Sequence, residues 1–378
     1  MRLAAWSADA VGLVAGYALD AALGDPRRFH PVAGFGRAAG ALERRLYAPR
    51  RGPGAAFAAV AVGVPVLAGA AASMLTRRHP VARAALVAGA TWTVLGGRAL
   101  RREAKVMASH LEDADLAAAR SRLNHLCGRD PSTLDEPELA RATVESVAEN
   151  TSDAIVAPLV WGSLAGLPGL LGYRAANTLD AMVGHRSPRY ERFGTAAARL
   201  DDVLNVVPSR LAGLFTVAAA PIAGGTRAET LRVWRRDRND HPSPNAGQCE
   251  SAMAGALGVR LGGRNVYFGR TEIRPFLGDG PRPSAAHIRR AARISAAVGL
   301  AAASLAAAVA AARGAASGRA APRVEAARGL AAAVAAARGV ASAGAGPRVE
   351  VPHGLAAAVA AARGTASGRA APRAEVTR

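Results

Sequence analysis

ESVAENTSDAIVAPLVWGSLAGLPGLLGYRAANTLDAMVGHRSPRYERFG, residues 145–194, decides how the chain is read. Its opening sets Glu145, Glu149 and Asp153 at i, i+4 and i+8. On a helix each step of four drifts only about 40°, so the three carboxylates share one face. An almost purely apolar run, 154–173, follows. The chain then crowds Asn177, Asp180, His185, Arg186, Arg189, Tyr190 and Arg192 into a few turns. Just downstream, LDDVLNVVPSRL (200–211) adds Asp201, Asp202 and Asn205 at helical spacing, then Arg210. Acidic, amide and guanidinium groups beside a bilayer-length segment are costly to bury, and a functional site is the natural first hypothesis.

Outward from this stretch the chain is a series of apolar segments. Residues 54–76 carry no charge for 23 positions, which at about 1.5 Å per residue spans roughly 30 Å of hydrocarbon. Ile294–Ala312 is uncharged for 19 residues, and shorter runs lie at 8–24, 84–97 and 211–226. The run 84–97 reads as the second half of a helical hairpin with 54–76. Between them and residue 153, mixed charge with apolar residues at helical spacing describes surface amphipathic helices. Asp135 and Pro137 fit the start of the helix that carries Glu145 and Glu149. The fold expected is all-α: a multi-pass integral membrane protein with about four to six apolar segments and a helical extramembrane region.

Pro158, Pro168 and several glycines make 154–173 a kinked or re-entrant element as readily as a straight span. A straight crossing would put the polar blocks at 145–153 and 177–192 on opposite faces of the membrane. The run 211–226 is also short and holds Pro221, so both are expected to dip, keeping the polar blocks on one side. The chain divides into N-terminal membrane segments (1–100), an extramembrane helical segment (101–153), membrane and polar blocks (154–312) and a tail (313–378). In the tail LAAAVAAARG begins at 305, 330 and 355, a period of 25. These alanine, arginine and glycine units hold scarcely any bulky apolar residue with which to offset chain entropy, so the tail reads as low-complexity.

Hydrophobic residues make up 51% of the chain, clustered rather than periodic, and the formal net charge is +20. Lys105 is the lone lysine among 48 basic residues. The arginines sit mainly in loops flanking apolar runs, which favours membrane anchoring over nucleic acid. Loops 25–53, 98–153 and 227–293 carry most of them and are expected to face the cytoplasm from the plasma membrane. Cys127 and Cys249 make neither a zinc site nor a disulfide framework.

ESVAENTSDAIVAPL, NTLDAMVGHRSPRYERFG and LDDVLNVVPSRL resemble the signature blocks of the adenosylcobinamide-phosphate synthase family of cobalamin biosynthesis. Two further blocks agree, LDAALGDPRRFHPVAGFGR (19–37) and HPSPNAGQCESAMAGALGVRLGG (241–263). Together they cover roughly residues 8–300 in the family's order and leave the last eighty or so untouched. The resemblance implies amide bond formation between the carboxyl of adenosylcobyric acid and an amino-alcohol phosphate (aminopropanol or ethanolamine), with ATP and Mg²⁺. It implies a catalytic group of Glu145, Glu149, Asp153, Asp180 and His185, with Glu149, Asp153 and Asp180 on the metal. Substrate and phosphate contacts would come from Asp25, His30, Arg37, Asn150, Asn177, Arg186, Arg189, Arg192, Asp201, Asp202, Asn205, Arg210, His241, Asn245 and Glu250.

The residues support that chemistry in outline. There is no GxxxxGK[ST] loop, no HExxH and no Ser-His-Asp set. What remains is a surplus of carboxylates, amides and arginines, the groups that hold Mg²⁺ and phosphate. Each also has a plainer reading. Glu145 and Glu149 make a solvated helix face, Asp153 a helix cap with Ser152, His185 a loop histidine. Arg186, Arg189 and Arg192 are what charge bias places beside a membrane segment, and His241–Asn245 a rigid turn. A Mg²⁺-dependent transferase acting on a lipid or polyprenyl phosphate, or a membrane transporter, fits the same composition.

Overall fold

The computed structural model describes residues 7–26, 30–185, 187–267 and 270–316. Arg186 and the tail beyond Ala316 lie outside them.

The first six helices are α1 (Ala8–Leu23), α2 (Pro31–Leu46), α3 (Arg51–Leu75), α4 (Pro80–Val94), α5 (Gly97–Glu112) and α6 (Leu116–Leu123). Helix α7 (Glu136–Thr151) runs through a π-helical turn (Ser152–Val156) into α8 (Ala157–Leu179), which ends in a second π-turn (Asp180–Gly184). Then come α9 (Thr195–Ala219), α10 (Arg227–Asp237), α11 (Ala246–Leu257), strands β1 (Leu261–Tyr267) and β2 (Arg270–Leu277), and α12 (Ala285–Ala316). Among the described residues four helical stretches are long and apolar enough to cross a membrane: Arg51–Leu75, Glu136–Gly184, Thr195–Ala223 and Ala285–Ala315. The chain is an all-α multi-pass membrane protein. The antiparallel β1–β2 hairpin, absent from the sequence reading, is its one sheet among the described residues.

Helix α3 is the most lipid-like. Only 22% of its most apolar stretch is buried, and Val60, Val64, Leu67, Met74 and Leu75 point outward. It packs on α8, while α4 packs on α1. The expected hairpin of 54–76 with 84–97 is therefore not the packing unit. Small residues decide this: a Cβ at Gly12 would sit 2.6 Å from Val87 and one at Gly16 2.4 Å from Thr91. This spacing of four lets two helix backbones close up.

Helix α12 is the central post, touching α1, α5, α7, α8 and α9. It lies antiparallel to α1: the Ser7 hydroxyl donates to the Ala310 carbonyl (2.9 Å), and Tyr17 reaches Gly299. It continues past residue 312, because Arg313 pairs with Asp9, which also binds Arg83 at 2.5 Å. The first of the three repeats is thus part of the bundle, with Ala306, Ala307 and Ala310 buried.

The dipping segment is a hairpin. Gly166 has φ 66° and ψ −148° in the midst of α8, a conformation open essentially to glycine. There the helix reverses, so that Gly169 lies against the Trp161 carbonyl. The tip lies beside Asp9, Arg83 and Arg313, and both arms return to the opposite end of the bundle. A second reversal follows α9. A 3₁₀ turn (Ala220–Ala223) ends in left-handed Gly224, and α10 folds back with Trp234 over Gly213. The chain thus reverses within the first of these apolar runs and after the second, and the polar blocks converge.

Candidate functional site

Three segments meet at the mouth of the hairpin. From α9, the Asn205 side chain donates to Asp201 (2.9 Å) and accepts from the Tyr173 hydroxyl (2.9 Å). Asn177 donates to Asp201 at 3.2 Å. The carboxylates of Asp201, Glu149 and Asp180 surround Asp153, while Arg174 offsets part of their charge. Asp180 in turn lies beside Asp201 and Asp202. Asn245, at the start of α11, donates to the Asp202 carbonyl (2.8 Å) and accepts from Ser209 (3.2 Å). Asp153 does not cap a helix: the π-turn carries the helix straight through it. Such turns widen a helix by one residue and recur at functional positions.

The loop after α1 closes this cluster from one side. Asp25 faces Asp20 and Arg174, and its burial, with Asp20 close by, raises its carboxyl to about 6. His30 accepts from the Val32 amide (3.2 Å), capping α2. Burial, and next the Arg174 guanidinium, lowers its imidazole to about 4. Asp20 is 1% exposed and accepts from the Arg98 amide at 3.2 Å. Asp20 also faces Arg101, which lines an open cavity of about 560 Å³ with Arg98, Arg102, Lys105 and His110. The chain's single lysine thus stands in a cationic hollow.

Glu145, Glu149 and Asp153 have different partners along their shared helix face. Glu145 is 3% exposed and bound by Arg129 (2.6 Å), Arg141 (3.0 Å) and the Gly262 amide (2.8 Å). It ties the β-hairpin to α7 and has no solvated face. Glu149 turns to α11, where its donor atom, one of His241 and one of Glu250 lie within 4.8 Å of one another. Among the described residues this is the one carboxylate–histidine group so close. Of the expected metal set Glu149–Asp153–Asp180, Glu149 lies beside both Asp153 and α11, while Asp153 and Asp180 sit on the two π-turns. Glu250 is fully buried. That burial, with Glu145 and Glu149 nearby, holds its carboxyl well above the usual range. Burial, then Arg274, lowers the His241 imidazole.

Other expected residues stand apart. Arg189 binds Glu43 (3.0 Å) and lies over the Tyr47 ring at 4.1 Å, fastening the 187–194 loop to α2. His185 packs edge-on to Tyr190. Asn150 and Arg210 bond within their own helices, and Arg37 and Arg192 are exposed. Tyr173, Arg174, Asp20 and the α5 cations were missed, the first two because they look like the end of an apolar run.

Fold and site together define a membrane-embedded helical protein whose reversing segments gather carboxylates, amides and an arginine at one end of the bundle. Residues 13–295 match the family described as CobD/Cbib protein. The chain is 51% identical over 299 residues to cobalamin biosynthesis protein CobD of Mycobacterium tuberculosis (strain ATCC 25618 / H37Rv), covering 79% of this chain and 95% of that one. It is 45% identical over 275 residues to the Geobacter metallireducens protein of that name (70% and 85% covered). With the Rhodobacter capsulatus protein it shares 43% over 292 residues (74% and 90%). No solved structure matches. The chain belongs to the CobD/Cbib protein family and has a role in cobalamin biosynthesis.

Proposed function

We propose that this chain joins the carboxyl of adenosylcobyric acid to an amino-alcohol phosphate through an amide bond, with ATP and Mg²⁺, at the cytoplasmic face of the plasma membrane. The observation that carries this reading is the convergence of Asp153, Asn177, Asp180, Asp201 and Asn205 around Arg174 at the hairpin mouth. Carboxylate and amide oxygens without a thiolate among them are the donor chemistry Mg²⁺ prefers, so Asp153, Asp180 and Asp201 fit that ion. ATP supplies the activation that a carboxylate needs before an amine can replace its oxygen. Arg98, Arg101, Arg102 and Lys105 offer phosphate oxygens a cationic hollow without a P-loop. Asp25, whose carboxyl burial raises to about 6, is mainly ionised at neutral pH yet more basic than a free carboxylate, and is suited to take a proton from the incoming ammonium.

The test uses detergent-purified full chain with adenosylcobyric acid, aminopropanol phosphate and Mg·ATP, followed by mass spectrometry. A corrinoid heavier by the amino-alcohol phosphate minus water supports the reading. Turnover of a polyprenyl phosphate without any corrinoid would replace it with the lipid-phosphate alternative.

A further inference from the structure

Glu250 lies wholly inside the protein, and neither carboxylate oxygen has a hydrogen-bond partner. His241 is 8% exposed, its Nε2 likewise has none, and that atom lies 3.8 Å from Glu250 Oε1. Glu149 brings a second carboxylate against the first, acceptor to acceptor. Two polar groups more than nine-tenths buried thus aim at one point that no protein donor fills. Unpaired buried groups of this kind are expensive.

The surrounding charges leave the point negative. Glu145 and Glu138 are matched by Arg129 and Arg141. Among the described residues the cation paired with Glu250 is Arg274, its Nη1 3.9 Å away, and Arg274 also reaches Glu272 at 3.8 Å. The imidazole is held in place from its other side: its Nδ1 accepts from the Ser243 amide at 3.0 Å. This bond leaves Nε2 facing the carboxylates. Metal ligands at about 2.0–2.2 Å from an ion stand about 3–4 Å from one another, close to the separations found here.

We propose that Glu149, His241 and Glu250 bind one divalent cation of the class that accepts imidazole, such as Zn²⁺ or Mn²⁺. The site adjoins the all-oxygen cluster at the hairpin mouth, with Glu149 between them. Imidazole with two carboxylates suits these ions, whereas Mg²⁺ favours oxygen alone. Its three ligands come from α7, the loop before α11, and α11. The ion therefore locks α11 against α7 beside the acidic cluster. The inference stands whichever reaction the acidic cluster performs.

The test measures metal on full-length protein purified in detergent through a tag without histidine. Elemental analysis should find about one equivalent per chain. After chelation, Zn²⁺ or Mn²⁺ should raise the thermal midpoint where Mg²⁺ at equal concentration does not. Co²⁺ should give visible d–d bands that shift in His241→Asn. Glu250→Gln, a near-isostere that keeps the fold even if the histidine variant does not, should weaken binding by at least about 100-fold, more than a supporting residue would. Asp202→Asn should leave binding unchanged. Purified chain without metal, with a midpoint indifferent to Zn²⁺ and Mn²⁺ and raised by Glu250→Gln, would overturn the site and leave a proton shared by Glu149 and Glu250.

Discussion

The Tyr173 hydroxyl shares its one proton between Asn205 and the Asp153 carbonyl, 3.1 Å away although twenty residues separate them in the chain. A straight helix would hold the two about 30 Å apart. The bond exists because Gly166 turns the chain back on itself, and it brings the acids of α7 to the amides of α8.

Gly166→Ala should therefore disturb the site from its far end. A Cβ at φ 66° strains the backbone by about 1–3 kcal/mol. We expect a thermal midpoint lower by several degrees in detergent and reduced activity. Gly63→Ala, on lipid-facing α3 with open space around it, should leave the midpoint unchanged or slightly raised. Equal midpoints for the two variants would mean that the hairpin does not depend on its tip.

Glu145 and Asp153 should fail differently. Removing Glu145 takes away the buried carboxylate that Arg129 and Arg141 share. Glu145→Ala should lower stability by about 3–5 kcal/mol and the amount of folded protein with it. Asp153→Asn should keep the protein inserted and folded while turnover falls by roughly 10²–10³. Normal corrinoid-dependent growth with Asp153→Asn would remove that residue from the site.

Asp25 and His30 give stability opposing pH dependences. The Asp25 carboxyl is raised to about 6 from 3.8, so its contribution is largest in acid and is lost as pH rises through that window. The His30 imidazole is lowered to about 4 from 6.5, so its contribution is present above 6.5 and lost as pH falls toward 4, when protonation also removes the α2 cap. Between pH 6.5 and 4 the two should largely cancel in the native chain. Asp25→Asn should lose stability on acidification over that range, and His30→Asn should gain it. Thermal midpoints measured across the range in both variants check the signs.

The two reversals put the polar blocks on one side. Cysteines placed at exposed Arg37 and Asp240 should react with an impermeant reagent from the same face of a vesicle, and one at Arg78 from the other. Labelling of 37 and 240 from opposite faces would break the shared site.

Truncation after Ala316 should leave insertion and stability nearly unchanged. Truncation after Ala312 removes the Arg313 partner of Asp9 and should lower the thermal midpoint by a few degrees. Identical midpoints would show that Arg83 alone satisfies Asp9.

The sequence was legible where a local rule determines the outcome. The uncharged 54–76 run had to be a lipid-facing helix, and Pro168 with its neighbouring glycines announced a break. Asp135 does cap α7, accepting from the Glu138 amide. What could not be read was set by partners distant in the chain. Nothing near Glu149 reveals that His241 and Glu250 will meet it, and the face shared by Glu145, Glu149 and Asp153 says only which way they start. The burial of Glu145 between two arginines was hidden in the same way, as were the π-turns that carry Asp153 and Asp180. The hairpin at 261–277 was hidden because Gly262 and Gly263 open β1 and Pro275 interrupts β2, residues that argue against a strand. Arg189 looked like a phosphate ligand because charge bias and binding use the same side chain.

The reversal at Gly166 also bears on how the protein is made. The first arm reaches the bilayer with Asp153 at its entrance, while Tyr173, which bonds the Asp153 carbonyl, and Asn205, which bonds Tyr173, are still to be synthesised. An arm released alone would expose those polar groups to lipid. The translocation machinery is thus handed a unit that extends at least to Gly184, and the two arms must leave it side by side, already paired.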